Sequence, residues 1–217
     1  MNKIIFSLLL LLLSNNTAFA SSCNQFYPNG EEILVKDTKV LCKNFYAIVW
    51  DQKHVANVFS TEAVQPDTKV PRKDAFRPDS EIENSPTPED YTNTGFDRGH
   101  MVPAADSSTA EQMSETFFMT NMTPQYPNVN RIAWKNLEVS VRAMPFKWVV
   151  TGAYYANYDN VIGKHKVPVP TALYKIVYLK DNSIVAYEIF NQKENKEAKK
   201  VDVSVIEKQT GIVFHKK

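Results

Sequence analysis

The pattern of apolar and polar positions predicts strands at both ends of the chain and helices in its middle. Five runs rich in β-branched and aromatic residues have the length of strands: residues 45–50, 55–59, 147–155, 172–179 and 184–190. Short polar segments after the first and fourth runs predict two hairpins. A short helix is predicted at 203–209, closed by Thr210-Gly211. This order predicts an α+β domain with a largely antiparallel central sheet.

Two helices are predicted between the strands. Ser107 or Ser108 can cap a short helix that runs through Phe117. A longer helix begins at Asn128 and runs to about Ala143, with apolar residues at the three-to-four spacing of a buried face.

Two other segments lack regular periodicity. Residues 62–93 hold five prolines and many charges, and a loop of this length in a compact domain is usually functional. Because it leads directly to the most reactive stretch of the chain, we expect it to form a wall of a cleft. Residues 123–125 are expected to turn the chain.

The first 20 residues have the pattern of a secretory signal peptide. Lys3 gives a positive start, residues 4–13 are apolar, and Ala18-Phe19-Ala20 is a small-x-small cleavage site. We therefore expect residues 1–20 to be removed and residues 21–217 to form one exported domain, either periplasmic or secreted. No later apolar run is long enough to predict a membrane-spanning helix.

The charge balance limits how the chain could hold nucleic acid. The chain has 25 Lys and Arg against 24 Asp and Glu, and loss of Lys3 with the leader makes the formal net charge zero. A protein that held nucleic acid by bulk electrostatics alone would be basic. If this chain acts on nucleic acid, a metal ion and a few placed arginines must make the phosphate contacts.

Cys23 and Cys42 are the only two cysteines. In an oxidising compartment they are expected to form a disulfide, which stabilises a loop of about 20 residues by about 3 kcal/mol. The alternative is that Ala20-Ser-Ser-Cys23 acts as a lipobox and that Cys23 carries a lipid. The four histidines lack zinc-ligand spacing, so structural zinc is not expected.

The greatest density of reactive side chains lies in residues 94–106. Asp97, Arg98 and His100 place a carboxylate, a guanidinium and an imidazole within four positions, beside Gly99. Glycine permits a close approach of the backbone to a ligand, so this stretch predicts a bent strand end that faces a cleft. His100 is the candidate general base, and Arg98 is the candidate phosphate clamp.

This stretch resembles the active-site segment of the DNA/RNA non-specific endonucleases, the ββα-metal nucleases with an Asp-Arg-Gly-His motif. Downstream residues also match the family at its spacing without a gap: Asn121-Met-Thr-Pro-Gln125, Asn130, Trp134, Asn136-Leu-Glu138 and Arg142. The resemblance covers about residues 41–214. It implies the same fold class, with a ββα-metal unit formed by the motif strand and the following helix.

The helical repeat is compatible with this resemblance. At about 100° per residue, positions four apart advance by about 40° and form one sloping stripe, here Asn130, Trp134, Glu138 and Arg142. Such a stripe is either the lining of a site or an ordinary polar face on which Glu138 and Arg142 form an ion pair.

The resemblance implies how a divalent metal would be held. Asn130 would be its direct protein ligand, and waters would complete the shell. This set suits Mg²⁺, which prefers oxygen ligands and keeps much of its hydration, with Mn²⁺ able to substitute. Glu138 and Asn121 would hold those waters.

The resemblance also implies which residues engage phosphate. Arg98 and Arg142 would contact the scissile phosphate, and Arg72 would be a further phosphate contact. Arg77 is an alternative to Arg72. Asp97 and Gly99 would support the site structurally.

Together these assignments predict metal-assisted hydrolysis of DNA and RNA, with neutral His100 activating water and with products that carry 5′-phosphates. Two alternatives remain at this stage: a catalytically silent nucleic-acid-binding module on the same fold, and a phosphodiesterase for small molecules. An imidazole with an ordinary pKa near 6.5 would predict loss of activity below about pH 6.

Overall fold

The computed structural model describes residues 23–215. The predicted signal peptide, residues 1–20, therefore lies outside the described residues. The strands are β1 Lys39–Cys42, β2 Tyr46–Asp51, β3 Ala56–Ala63, β4 Asp97–His100, β5 Met122–Gln125, β6 Phe146–Tyr154, β7 Val161–Ile162, β8 Val167–Pro168, β9 Ala172–Leu179, β10 Ile184–Phe190 and β11 Lys199–Val201. The α-helices are α1 Ala110–Glu115, α2 Lys135–Arg142 and α3 Val203–Thr210.

The predicted fold class is confirmed. Seven strands form one antiparallel sheet in the order β1-β2-β3-β6-β9-β10-β11. Both predicted hairpins, β2–β3 and β9–β10, are present, and β6 joins them in the middle of the sheet. The strands β4 and β5 form a separate antiparallel pair outside this sheet.

The central sheet has a hydrophobic cluster on each face. On one face, residues such as Val177 and Leu173 of β9 pack against Leu137 and Val141 of α2. On the other, β2, β3, β6 and β9 pack against α3 and the N-terminal segment, which includes Cys23. The sheet is therefore a rigid base that fixes α2 against its first face.

The predicted disulfide between Cys23 and Cys42 is formed, with the two Cα atoms 5.6 Å apart. It ties the N-terminal segment to the edge strand β1. In the part of the chain that the structure describes, no helix has both the length and the apolar character needed to cross a membrane.

The local predictions for the middle of the chain need three corrections. Helix α1 is capped by Thr109, whose side chain accepts from the Gln112 backbone N–H at 3.2 Å, and not by Ser107 or Ser108. Residues 123–125 lie in β5 and are not a turn. The second helix begins with a π-helical turn, Val129–Trp134, before α2.

Candidate active site

The Asp-Arg-Gly-His residues form all of β4, which pairs with β5 from Asp97 opposite Gln125 to His100 opposite Met122. Gly99 is required by packing, because a Cβ at this position would overlap the Gln125 side chain. Side chains alternate along a strand, so Arg98 and His100 share one face. That face forms the first side of a cleft, here called the hairpin wall.

The π-helical turn and α2 form the second side of the cleft, here called the helix wall. Asn130, Glu138 and Arg142 line it, while Trp134 is 1% exposed and faces the core. The sequence stripe is therefore interrupted at Trp134. The wider π-helical turn, of a kind frequent at functional sites, accompanies this departure from ideal α-helical spacing.

The cleft between the walls has a volume of about 380 Å³. It brings together most of the residues that the sequence singled out: Arg72, Arg98, His100, Asn130, Glu138 and Arg142. Three further cleft residues on the helix wall were not predicted: Arg131, Lys135 and Val139. The two basic ones follow Asn130 at positions 1 and 5, so inspection of the helix for added positive charge could have found them.

His100 has an apolar and cationic environment. Its ring lies 5.9 Å from the Phe76 ring and 4.9 Å from the Phe117 ring, measured between centroids. Neither ring nitrogen has a hydrogen-bond partner within the described residues. Burial and, secondarily, the nearby Arg72 charge lower the pKa of His100 to about 3, although Asp74 acts in the opposite direction. The assumption of an ordinary imidazole pKa was therefore wrong.

Asn130 is oriented from the hairpin wall. Its Nδ2 donates to Asp97 Oδ2 at 2.9 Å. Asp97 also accepts two hydrogen bonds from Arg131, at 2.8 Å and 2.6 Å. Burial opposes ionisation of Asp97, but hydrogen bonds from Arg131 and then Asn130 hold its pKa below the ordinary value. Asp97 therefore fixes the orientation of the Asn130 amide. The amide oxygen of Asn130 takes part in no hydrogen bond among the described residues.

Glu138 lies among other charged side chains on the helix wall. Burial raises the pKa of Glu138 to about 7; Lys175 opposes this shift and Asp106 adds to it. Arg142 Nη1 donates to Asp106 Oδ1 at 2.9 Å. The alternative interpretation of the stripe, a Glu138–Arg142 ion pair, is not realised, because Arg142 pairs with Asp106 at the end of the reactive stretch.

Lys175 lies beneath this wall and was also missed. It is on β9 and is 1% exposed. Its ammonium group donates to Thr151 Oγ1 at 2.6 Å and lies 5.2 Å from the Trp134 ring centroid. Its signal in the sequence was a single lysine inside the apolar run 172–179.

The structure separates the two candidate upstream arginines. Arg72 lines the cleft, lies 5.2 Å from the Phe117 ring centroid and pairs with Asp74. Arg77 donates to the Ala75 and Ser114 carbonyls at 3.1 Å and 2.7 Å and does not line the cleft. The long loop thus contributes to the cleft, as expected, through Arg72.

Asn121 does not have the geometry predicted for it. It is 0% exposed and does not line the cleft. Its Oδ1 accepts from the Val102 N–H at 3.0 Å, and its Nδ2 donates to the Val102 and Thr116 carbonyls, each at 2.9 Å. Because its hydrogen bonds go to the backbone, it fixes the chain after His100 and is not placed to hold metal-bound water.

The donor set restricts which metal could bind. Between residues 23 and 215, no group of three His, Cys, Asp or Glu side chains could hold an ion. The Asn130 oxygen, with the Glu138 carboxylate on the same wall, instead suits an oxygen-preferring ion that keeps most of its waters. Mg²⁺ has these properties, so the residues present fit it.

The sequence and the structure both match known proteins. A family described as "DNA/RNA non-specific endonuclease" matches residues 29–217. A "Nuclease" from Nostoc sp. is 32% identical over 209 residues, which cover 83% of this chain and 74% of the relative. "Endonuclease G, mitochondrial" from Homo sapiens is 35% identical over 122 residues, 48% of this chain.

Coverage of the mitochondrial relatives is partial. The match spans 41% of the Homo sapiens protein and 48% of "Nuclease EXOG, mitochondrial" from Danio rerio. A solved structure titled "Crystal structure of the EndoG/EndoGI complex: Mechanism of EndoG inhibition" aligns with a TM-score of 0.76 at 27% identity. That alignment covers 91% of this chain and 93% of the solved chain, so most of the fold is shared.

Proposed function

Because the chain belongs to the DNA/RNA non-specific endonuclease family, whose members are metal-dependent nucleases, we propose that it is an exported, Mg²⁺-dependent endonuclease that hydrolyses DNA and RNA. The observation that carries this proposal is the cleft itself. It holds an imidazole, an oriented amide oxygen, a carboxylate and three arginines: His100, Asn130, Glu138, Arg72, Arg98 and Arg142.

In this mechanism His100 accepts a proton from the attacking water. The geometry supports this role, because its ring nitrogens have no protein partner in the described chain and the imidazole stays neutral over the physiological pH range. Arg98, whose guanidinium lies 4.4 Å from the Phe76 ring centroid, and Arg142 bind the phosphate and the charge that develops on it.

Asn130 and Glu138 would hold the ion, the former through its amide oxygen and the latter through metal-bound water. When bound there, Mg²⁺ would supply Lewis acidity that neutralises the leaving oxygen. Cleavage between the 3′-oxygen and phosphorus gives 5′-phosphate products. Since all of these contacts are made to phosphate, the site reads backbone and not base sequence, which accounts for action on both DNA and RNA.

Export, to the periplasm or the medium, is supported by the leader-like residues 1–20 and by the Cys23–Cys42 disulfide. Disulfides persist mainly in oxidising compartments. Mass spectrometry of the native chain should show cleavage after residue 20 and no free thiol. A lipid on Cys23 would instead indicate a membrane anchor.

The function is tested by incubating the purified chain with plasmid DNA and with RNA across a Mg²⁺ titration. We expect cleavage of both polymers, its abolition by EDTA, and its recovery with added Mg²⁺ or Mn²⁺. Binding without cleavage at any metal concentration would indicate a silent binding module. Cleavage of a small diester but of neither polymer would indicate a small-molecule phosphodiesterase.

A further inference from the structure

A second groove, of about 370 Å³, lies beside the cleft at the start of β4. Its lining includes Gly95, Phe96, Tyr126, Asn128 and Lys193. None of these has a role in the proposed chemistry. We propose that this groove is a subsite that stacks one unpaired nucleobase of the substrate strand, on the nucleotide next to the scissile phosphate. This proposal rests on the proposed function.

The aromatic pair forms a fixed platform. The Phe96 and Tyr126 ring centroids are 4.6 Å apart with the planes tilted by 45°. Phe96 packs on a cluster that includes Tyr91 and Met122, and Tyr126 packs on the cluster beneath α2. Both rings remain partly exposed to the groove. A ring held by the core loses little conformational freedom when a base stacks on it.

The groove residues lie close along the chain to the reacting residues. Phe96 directly precedes Asp97, and at about 3.3 Å per residue its Cα lies about 7 Å along the strand from that of Arg98. On the other side, the Asn130 N–H donates to the Tyr126 carbonyl at 2.9 Å. If the scissile phosphate of a nucleic-acid strand lies at Arg98 and Asn130, the base of the adjacent nucleotide is therefore close enough to reach the platform.

Charge favours extension of the substrate strand toward the aromatic groove over extension toward the other end of the cleft. A cavity of about 480 Å³ adjoins the other end of the cleft, and its lining mixes the carboxylates of Glu62, Asp67 and Asp106 with the cations Arg142 and Lys180. The aromatic groove has no acidic lining residue, and Lys193 lies 5.7 Å from the Tyr126 ring centroid. The mixed lining of that cavity offers a polyanion no net attraction, whereas Lys193 attracts it, so the substrate strand should extend toward the platform.

The carbonyl of Lys193 accepts from Asn128 Nδ2 at 2.7 Å. This bond fixes the charged segment after β10 against the groove, so that in the proposed subsite the Lys193 ammonium group would pair with the next phosphate of the strand. The charged segment after β10, residues 192–200, thus contributes one cation to a surface that also carries stacking rings. This combination is typical of single-strand binding sites.

The test compares Phe96→Ala and Tyr126→Ala with Tyr126→Phe, which keeps the ring. Tyr158→Ala serves as a matched control, because Tyr158 stacks on His54 and does not line the groove. On a single-stranded oligonucleotide, loss of one stacked base should raise KM by about 5–150-fold. The rate on bis(p-nitrophenyl) phosphate, which has no base, should not change, and neither Tyr126→Phe nor Tyr158→Ala should change KM.

A binding measurement keeps the test independent of cleavage. An oligonucleotide that carries 2-aminopurine is titrated with each protein in EDTA, and stacking is read as quenching of its fluorescence. Quenching that is lost in Phe96→Ala and Tyr126→Ala supports the subsite even if the wild-type chain cleaves nothing. Equal quenching in all proteins, or a KM unchanged in both alanine variants, overturns it. If both substrates are affected equally while thermal unfolding shows intact folding, the rings act on the catalytic geometry and the subsite is also rejected.

Discussion

On the hairpin wall, His100 is surrounded by Phe76 and Phe117, and its ring nitrogens have no protein partner within residues 23–215. On the helix wall, Glu138 shares its surroundings with Asp106, Arg142 and Lys175. Both groups are desolvated, and desolvation lowers the pKa of His100 but raises the pKa of Glu138. It favours the neutral form of each, which is the reactive form of the base but the inactive form of the carboxyl.

The difference explains why two cations, Lys175 and Arg142, lie near Glu138. A neutral imidazole needs only the exclusion of carboxylates, and apolar rings provide this. An ionised Glu138 needs nearby positive charge to offset burial, and Lys175 and Arg142 provide it. The two walls therefore divide the chemistry: the hairpin wall keeps a base neutral, and the cations near Glu138 limit how far burial raises the pKa of this carboxyl.

The largest expected effect is on the hairpin wall. His100→Ala should lower the cleavage rate by about 10²–10⁴-fold, the usual contribution of a general base, while thermal unfolding shows a folded chain. His165→Ala is the matched control, since His165 pairs with Asp90 at 2.7 Å and does not line the cleft. It should keep activity within a few-fold of wild type. A His100→Ala rate above one tenth of wild type would remove His100 from the mechanism.

On the helix wall, Asn130→Ala should lower cleavage by about 10²-fold, as loss of one transition-state contact does, yet leave DNA binding intact. Asn130→Asp should retain weak activity above that of Asn130→Ala, because a carboxylate also binds Mg²⁺ but its charge opposes the phosphate. Rates measured against Mg²⁺ concentration compare the three proteins. Wild-type metal dependence in Asn130→Ala would show that the ion is held elsewhere.

The pH dependence of cleavage tests the contrast between the pKa values of His100 and Glu138 directly. With its pKa lowered to about 3, His100 stays neutral as pH falls from 8 to 5, whereas Glu138, with its pKa raised to about 7, gains a proton in that range. Activity should therefore fall as pH decreases through about 7. Glu138→Gln should reduce the rate by about 10–100-fold and flatten this limb. A limb that persists unchanged in Glu138→Gln would assign it to another group.

Lys175→Met tests whether the cation on β9 lowers the pKa of Glu138. Removing this buried cation should raise the pKa of Glu138 further, so the acid limb should move to higher pH while the rate well above it recovers. A merely structural role would lower the rate equally at every pH. Lys175→Arg, which keeps the charge, should leave the limb closer to its wild-type position.

Local patterns predicted much of this fold. The hairpins β2–β3 and β9–β10 follow from apolar runs broken by short polar turns, and the resemblance to the nuclease family predicted most of the side chains that line the two walls. Features that depend on contacts between distant parts of the chain could not be predicted from the sequence. Lys175 reaches the helix wall only through its place on β9, and the low pKa of His100 depends on Phe76 and Phe117, which lie far along the chain.

The dependence on long-range contacts also explains why the roles of individual polar residues were predicted incorrectly. Arg72 and Arg77 have equal charge, and only the path of the loop decides which one reaches the cleft. Asn121 matches the motif, but its amide bonds to the backbone of Val102 and Thr116. Sequence spacing identifies which side chains are near a site, whereas hydrogen bonding decides which of them remain available to a ligand.

The smallest predicted effect concerns Asp97, which joins the two walls. It lies on β4 but accepts from Asn130 and Arg131 of the helix wall. Asp97→Asn weakens both contacts without removing a reacting group, so the Asn130 oxygen should become less well oriented. We expect the Mg²⁺ concentration for half-maximal rate to rise by about tenfold, at the lower end of the range for partners of a metal ligand. The rate at saturating Mg²⁺ should change only a few-fold.

Arg131→Ala separates the two contacts of Asp97, because it removes the exposed arginine and leaves the Asn130–Asp97 hydrogen bond in place. If Asp97 acts by orienting Asn130, Arg131→Ala should leave the Mg²⁺ requirement near wild type, and any change should appear in KM for the polyanionic substrate. If both variants raise the Mg²⁺ requirement equally, the arginine–carboxylate pair itself holds the walls in register. A wild-type Mg²⁺ requirement in Asp97→Asn would mean that the π-helical turn positions Asn130 without help from the hairpin wall.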